Sequence, residues 1–241
     1  MARKKTLLAL FLGLALLTSV GACLGLLLHH EPHFYRDAAV PAGENREKLS
    51  GACRKETTKL IGYFLEGFEP WDVQFTEAQI NSFFAEDFLR IGDDAKNLEK
   101  QGVSAPRVSI EKDRLRLAFR YTNALVSTVV SLDLKIWLVP RETNVFAIEI
   151  LGRYAGGLPI SAQTLQEEIA NLARKYNLEA SWYRHDGHPV ALLHFKSKES
   201  RPTNKFLRFE LTPGQLSISG VSLEPLPPNA QKKTVLAPVG N

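Results

Sequence analysis

The sequence has few sulfur-containing residues and lacks the common sequence motifs of enzymes. It has two cysteines, Cys23 and Cys53, and one methionine among 241 residues. If Cys23 lies in a membrane segment or is removed, Cys53 is unpaired, so no disulfide framework is expected. No serine lies in a GxSxG motif, and no glycine-rich segment has the spacing of a phosphate-binding loop. We therefore expect a protein that is not an enzyme and that uses no cofactor.

Neither sign of charge predominates over most of the chain. The formal net charge is +4, and Arg3, Lys4 and Lys5 carry three of the positive charges. The remainder is nearly balanced, so the pI near 9.0 gives little support for binding nucleic acid. With 44% hydrophobic and 23% charged residues, the chain has the composition of a folded globular protein.

Charge is entirely absent from Leu7 to Leu28, a run of 22 residues. At about 1.5 Å per residue, such a helix would cross a bilayer core of roughly 30 Å. Val20 to Cys23 also resembles the cleavage stretch of a lipoprotein, in which Cys23 would be lipidated. A cleaved signal usually has an apolar region of only about 7–15 residues, so an uncut anchor is favoured.

The charges that flank this run predict its orientation and the layout of the chain. Arg3, Lys4 and Lys5 precede the run, so the N-terminus is expected in the cytoplasm and the rest outside the bacterial cytoplasmic membrane, in the periplasm. The predicted parts are a cytoplasmic stub (1–6), a transmembrane anchor (7–28), a spacer (29–43), an α+β ectodomain (44–224) and a disordered tail (225–241).

Apolar periodicity predicts three helices in the ectodomain. The first runs from Glu44 to Phe68 and places Cys53 on its apolar stripe. The second begins at Thr76, which forms a capping box with Gln79. The third runs from Ser161 to about Tyr176.

The period changes from helical to alternating after Pro106. The stretches "RLRLAFRY", "VSLDLKIWL" and "VFAIEI" alternate apolar with polar residues, as half-buried antiparallel strands do. Further strands are expected at Glu179–Tyr183, Val190–Lys196 and Phe206–Leu211, with a short last one in "SISGVSLEP". The predicted fold class is α+β, with a long antiparallel meander sheet and amphipathic helices packed on one face.

The stretch "RHDGH" is the strongest candidate for chemistry. His185, Asp186 and His188, with His194 further on, could ligate a metal ion. Asp186-Gly187 is also the sequence of a tight hairpin turn, which needs no histidine, and we favour the turn. Cys53 has Arg54 and Lys55 beside it, but a buried structural cysteine is favoured there. We expect no metal site.

A row of arginines forms a second candidate. Arg114, Arg116 and Arg120 share one face of a predicted strand. They could contact an anionic lipid head group or an anionic polymer of the envelope. Keeping an outward sheet face soluble is the simpler interpretation.

Several stretches resemble a known group of proteins. "FTEAQINSFFAEDF", "APRVSIEKDRLRLAFRY", "VVSLDLKIWLVP" and "GGLPIS" are similar to single-pass envelope proteins of planctomycetes and verrucomicrobia. More loosely, the chain resembles YpmS-type proteins and tubular lipid-binding domains. The resemblance implies an N-terminal span and curled antiparallel strands around a long helix, and it carries over no catalytic residue.

Two functions follow as hypotheses. The first is a membrane-anchored domain that binds lipid or another apolar ligand. Its expected lining residues are Leu132, Leu134, Ile136, Phe146, Ile148, Ile150, Phe84 and Phe88. The alternative is a structural or protein-interaction module of the envelope, which would bind through an edge strand or through Trp71 and Trp137.

Overall fold

The computed structural model describes residues 18–66, 70–88, 92–175, 178–195 and 203–223. Residues 18–28 form a helix, α1. The other helices are α2 (His33–Asp37), α3 (Glu44–Glu66), α4 (Glu77–Glu86), α5 (Gly92–Lys100) and α6 (Ala162–Lys175). The strands are β1 (Pro70–Thr76), β2 (Val103–Glu111), β3 (Arg114–Thr122), β4 (Ser127–Leu138), β5 (Val145–Ala155), β6 (Leu158–Pro159), β7 (Glu179–His185), β8 (His188–His194), β9 (Thr203–Thr212) and β10 (Gln215–Leu223).

The α+β class and the long antiparallel sheet are confirmed. Seven strands form this sheet, in the order β2-β3-β4-β5-β8-β7, and β6 pairs with β5. The first four strands are a meander, whereas α6 carries the chain from β5 past β8 to β7. Asp186 (φ +48°) and Gly187 (φ +82°) close the β7–β8 hairpin between His185 and His188, so the predicted tight turn is confirmed.

A second sheet, which the sequence did not predict, has the order β1-β10-β9. Trp71, Val73 and Phe75 alternate with exposed residues on β1 and are buried. Val73 and Phe75 form a core with Cys53 of α3, which is buried as predicted. The α3 and α4 helices pack chiefly on this sheet, on each other and on β2, and not across a face of the long sheet as expected.

The second sheet closes one end of the long sheet. Asn144, in the β4–β5 turn, accepts a hydrogen bond from the Phe206 backbone N–H (2.9 Å). The Asp113 N–H, in the β2–β3 turn, donates to the Leu211 carbonyl (3.2 Å), and the Gly214 N–H donates to the Ile110 carbonyl (2.8 Å). This end of the long sheet is therefore attached to β9 and to the turn between β9 and β10.

Side chains of α4 cover the β2 edge of the long sheet. The Thr76 capping box is confirmed, with bonds of 2.8 Å and 3.2 Å to Gln79. It starts α4 so that the buried Asn81 amide bonds both the N–H (2.8 Å) and the carbonyl (2.9 Å) of Val108. Glu77 accepts from the Ile110 N–H (2.7 Å). Unpaired strand edges invite aggregation, and this edge is satisfied.

Residues 29–43, predicted as a spacer, are part of the fold instead. We call residues 27–38 the strap, because they cross one face of β3 and β4. Tyr35 is fully buried there against Ala118 and Val129, and its hydroxyl donates to the Ala105 carbonyl (2.9 Å). The sequence suggested a linker because of its prolines and histidines, but the aromatic side chain supplies a packing contact.

No helix within the described ranges is both long and apolar enough to span a membrane. The α1 helix covers the last part of the predicted span 7–28. Residues 7–17 of that span lie outside the described residues, as do the predicted stub (1–6) and the predicted tail (225–241).

Candidate functional site

The long sheet presents a continuous apolar face. The register aligns Leu115, Leu134 and Ile150 across three strands, then Ile136 with Ile148 and Leu138 with Phe146. We call this side of β3–β5 the apolar face, and it consists of Leu115, Leu117, Phe119, Val130, Leu132, Leu134, Ile136, Leu138, Phe146, Ile148 and Ile150.

Burial does not follow the alternation of apolar and polar residues, because each face of β3–β5 carries both buried and half-buried side chains. On the apolar face Ile150 is buried, whereas the other members are half-buried. On the opposite face Ala118, Ser131, Ala147 and Glu149 are all buried. Small side chains and the strap account for part of this burial. The large apolar side chains therefore keep contact with solvent that an ordinary core would remove.

The structure brings together the predicted lining residues of the strands, but not those of the helix. Phe84 of α4 and Phe88, which follows the end of that helix, contact each other with ring centroids 5.5 Å apart. The α4 helix packs on β2, the edge strand that β3 separates from β4. We therefore restrict the candidate site to the strand residues.

An aromatic cluster closes the apolar face at one end. The Phe146 ring lies 5.0 Å from Phe206, 5.6 Å from Phe209 and 5.4 Å from Phe195, all edge to face. Two of these rings belong to β9. The apolar face thus ends at the second sheet, and its other end points toward the strap and α1.

Arg153 is a member of this face that the sequence did not suggest. It lies opposite Leu132, next to the row formed by Leu134 and Ile150. A bulge between these rows shifts the register by one residue. The Arg153 Nε is buried and has no hydrogen-bond partner among the described residues. A polar atom in this state is rare in native structures and calls for an explanation.

The predicted arginine row lies on the opposite face, and each of its members has an acidic partner. Arg116 is 3.1 Å from Glu111, and Arg120 is 3.2 Å from Glu31 of the strap. Arg114 Nε lies 3.2 Å from Asp133 Oδ1, a charge contact without hydrogen-bond geometry. This pairing neutralises the row and gives the anionic-contact hypothesis no support.

A cleft of about 310 Å³ separates the strap from this opposite face. His30 and Phe34 line one side, and Arg116, Asp133 and Tyr154 line the other. Burial raises the pKa of the Asp133 carboxyl, while Arg114 and Arg116 act in the opposite direction. The cleft lies on the opposite side of the sheet, so it does not extend the apolar face.

The remaining candidates have structural surroundings. His185 Nδ1 lies 3.3 Å from Oε1 of the buried Glu149. Burial raises the pKa of the Cys53 thiol, which disfavours the reactive thiolate. In the part of the chain that the structure describes, no three metal-ligating side chains come together.

The half-buried apolar face and the Arg153 Nε, which has no hydrogen-bond partner among the described residues, lie together on one side of the long sheet. Trp71 Nε1, Ser82 Oγ and Asp133 Oδ1 are the other buried side-chain atoms without a partner in the described part of the chain. Comparison with protein-family models, with curated proteins and with solved structures finds no match for this chain.

Proposed function

We propose that the chain is a membrane-anchored, non-enzymatic domain on the extracytoplasmic side of a bacterial membrane that binds a lipid or another apolar ligand. The observation that supports this function is the half-burial of the apolar face from Leu115 to Ile148. Removing apolar surface from water is favourable by about 25 cal/mol per Å², so a ligand that covers the apolar face gains this free energy.

The contrast with the second sheet strengthens the proposal. There Trp71 and Val73 are almost completely buried under α3. The same chain therefore seals one apolar sheet face and leaves the other partly open. A contiguous apolar patch that keeps contact with solvent on a folded domain is typical of a binding surface.

The anchor is proposed from α1 and the run of apolar sequence before it. Val20, Leu24 and Leu26 are exposed on α1, and no charge occurs between Leu7 and Leu28. Their exposure is expected of a helix that lies in lipid. Membrane insertion of residues 7–28 would place the domain at the membrane surface.

The alternative function, a protein-interaction module, is favoured by a different surface. The β7 strand ends the long sheet, and no described strand pairs with its outer edge. Tyr183 on β7 and Leu172 on the adjacent α6 are both exposed. An extended segment of an envelope protein could add to this edge as a further strand.

Site-specific photo-crosslinking distinguishes the two functions. The full chain would be expressed in bacterial membranes with p-benzoylphenylalanine in place of Ile136, on the apolar face. The matched control carries it in place of Leu207, which is exposed on β9. After irradiation, intact-mass spectrometry gives the mass of each adduct.

We expect an adduct of lipid mass at residue 136 and none at residue 207. Equal labelling at the two positions would contradict a binding surface on the apolar face. A protein-sized adduct from a probe at Tyr183, with no lipid at residue 136, would favour the interaction module instead.

A further inference from the structure

We propose that Arg153 binds the carboxylate of a long-chain fatty acid whose chain lies along the apolar face. This inference rests on the proposed function and specifies its ligand. It starts from a buried guanidinium atom that has no partner in the described part of the chain.

The position of Arg153 joins charge to the apolar face. In the register it forms one cross-strand row with Leu132, Leu117 and Val108. The next rows on either side place Leu134 with Ile150 and Val130 with Ala155. Arg153 is therefore surrounded on its face by aliphatic side chains, where a guanidinium is poorly solvated.

Charge complementarity argues for an anionic ligand. Three arginines of β3 lie on the opposite face and already contact carboxylates: Arg114, Arg116 and Arg120. Arg153 has no such neighbour among the described residues. A half-buried, unpaired cation favours a ligand with one negative charge.

The planar guanidinium selects a carboxylate among single-charge groups. It offers parallel N–H donors that match the two oxygens of a carboxylate. From Leu132 to Leu138, β4 extends about 20 Å at about 3.3 Å per residue. That is the scale of an extended fatty-acid chain, which would run from Arg153 to the Phe146 aromatic cluster.

The test compares palmitate with 1-hexadecanol, which has the same chain length and no charge. The full chain, purified in a non-ionic detergent, would be titrated with each compound and examined by native mass spectrometry. The variants are Arg153→Gln, Arg153→Lys and the control Arg184→Gln, which changes an exposed arginine of β7.

We expect one palmitate per chain in the wild type and in the control. Arg153→Gln should weaken palmitate binding by about tenfold or more, the effect of losing a charged hydrogen-bonded pair. It should leave hexadecanol binding unchanged. Arg153→Lys keeps the charge but loses the paired donors. It should bind palmitate more weakly than the wild type and more tightly than Arg153→Gln.

Equal binding of palmitate and hexadecanol, unchanged in Arg153→Gln, would overturn the role of Arg153 and leave the apolar-ligand function standing. Binding of neither compound to the wild type would overturn both. Unchanged hexadecanol binding in Arg153→Gln also serves as the folding control, and Arg153→Lys supplies a second variant if the glutamine variant unfolds.

Discussion

Side chains of α4 bond the free backbone groups at the outer edge of β2, and Asn81 bonds two of them. Its amide bonds both the N–H and the carbonyl of Val108 in a buried position. Asn81→Ala should lower the free energy of unfolding by about 2–4 kcal/mol, since it leaves both backbone groups without a partner. Urea unfolding followed by tryptophan fluorescence measures this.

Asn97→Ala is the matched control, because Asn97 is exposed on α5. It should change the free energy of unfolding by less than about 0.5 kcal/mol. Equal effects of the two substitutions would show that Asn81 does not hold the β2 edge.

Arg153 gives a stability prediction that does not involve any ligand. Its buried Nε has no hydrogen-bond partner within the described ranges, and such a group disfavours the folded state. Arg153→Met keeps an unbranched apolar side chain as far as the position of Nε and removes the guanidinium. It should raise the unfolding midpoint of the delipidated protein, measured by circular dichroism. A lower midpoint would mean that the guanidinium is satisfied in the folded state.

Asp133 should make the folded state less stable as the pH rises, the opposite of a carboxylate whose pKa folding lowers. Burial raises its pKa, so the folded state holds the proton to a higher pH than the unfolded state does. The contribution of Asp133 to stability is therefore largest in acid and falls as the pH rises through the folded pKa. Relative to Asp133→Asn, the wild type should lose stability between about pH 4 and pH 7.

Denaturant unfolding of both proteins at the two pH values tests this expectation. A wild type that gains stability over Asp133→Asn as the pH rises would show that the contacts of Arg114 and Arg116 outweigh burial.

At the scale of elements, the strap depends on Tyr35. The Arg107 guanidinium donates to the Tyr35 carbonyl (2.6 Å) and lies 4.2 Å from the centre of its ring. Tyr35→Ala should destabilise the folded state by roughly 3–5 kcal/mol and release the strap. Limited trypsin digestion should then cut after Arg36, where docking of the strap should protect the backbone of the wild type. Tyr183→Ala, which changes an exposed ring, should leave that protection intact.

Local signals predicted the elements well. The capping box at Thr76, the Asp-Gly turn and the alternation in β3 and β4 depend on neighbours a few residues apart, and the structure confirms them. The alternation in "WDVQFT" was an available signal for β1. Its partner β10 lies some 140 residues later, so no local pattern indicates a separate sheet.

The candidate site shows the same limit. Continued alternation from Phe146, Ile148 and Ile150 would place Arg153 on the polar face. The bulge after Ile150 reverses that order and brings Arg153 to the apolar face. Bulges depend on how two strands fit together, so the residue with the most informative environment could not be found from the sequence.

At the scale of the whole molecule, the strands at the C-terminal end stabilise strands formed much earlier in the sequence. The β10 strand pairs with β1, and β9 packs on Phe146. Truncation after Phe195 would leave β1 without its partner and expose the aromatic cluster. We expect the truncated chain to lose cooperative thermal unfolding in circular dichroism. A cooperative transition in this chain would show that the long sheet is stable alone.

The strap also constrains the order in which the molecule can be built. Its carbonyls at Leu27 and Leu28 accept from the Gly157 N–H (2.7 Å) and the Thr128 hydroxyl (2.6 Å). These partners follow 130 and 100 residues later in the sequence, so this end of the strap stays undocked until more than half of the chain has been synthesised. Contacts of such long separation slow folding. The α1 helix is therefore complete well before the domain beside it can fold.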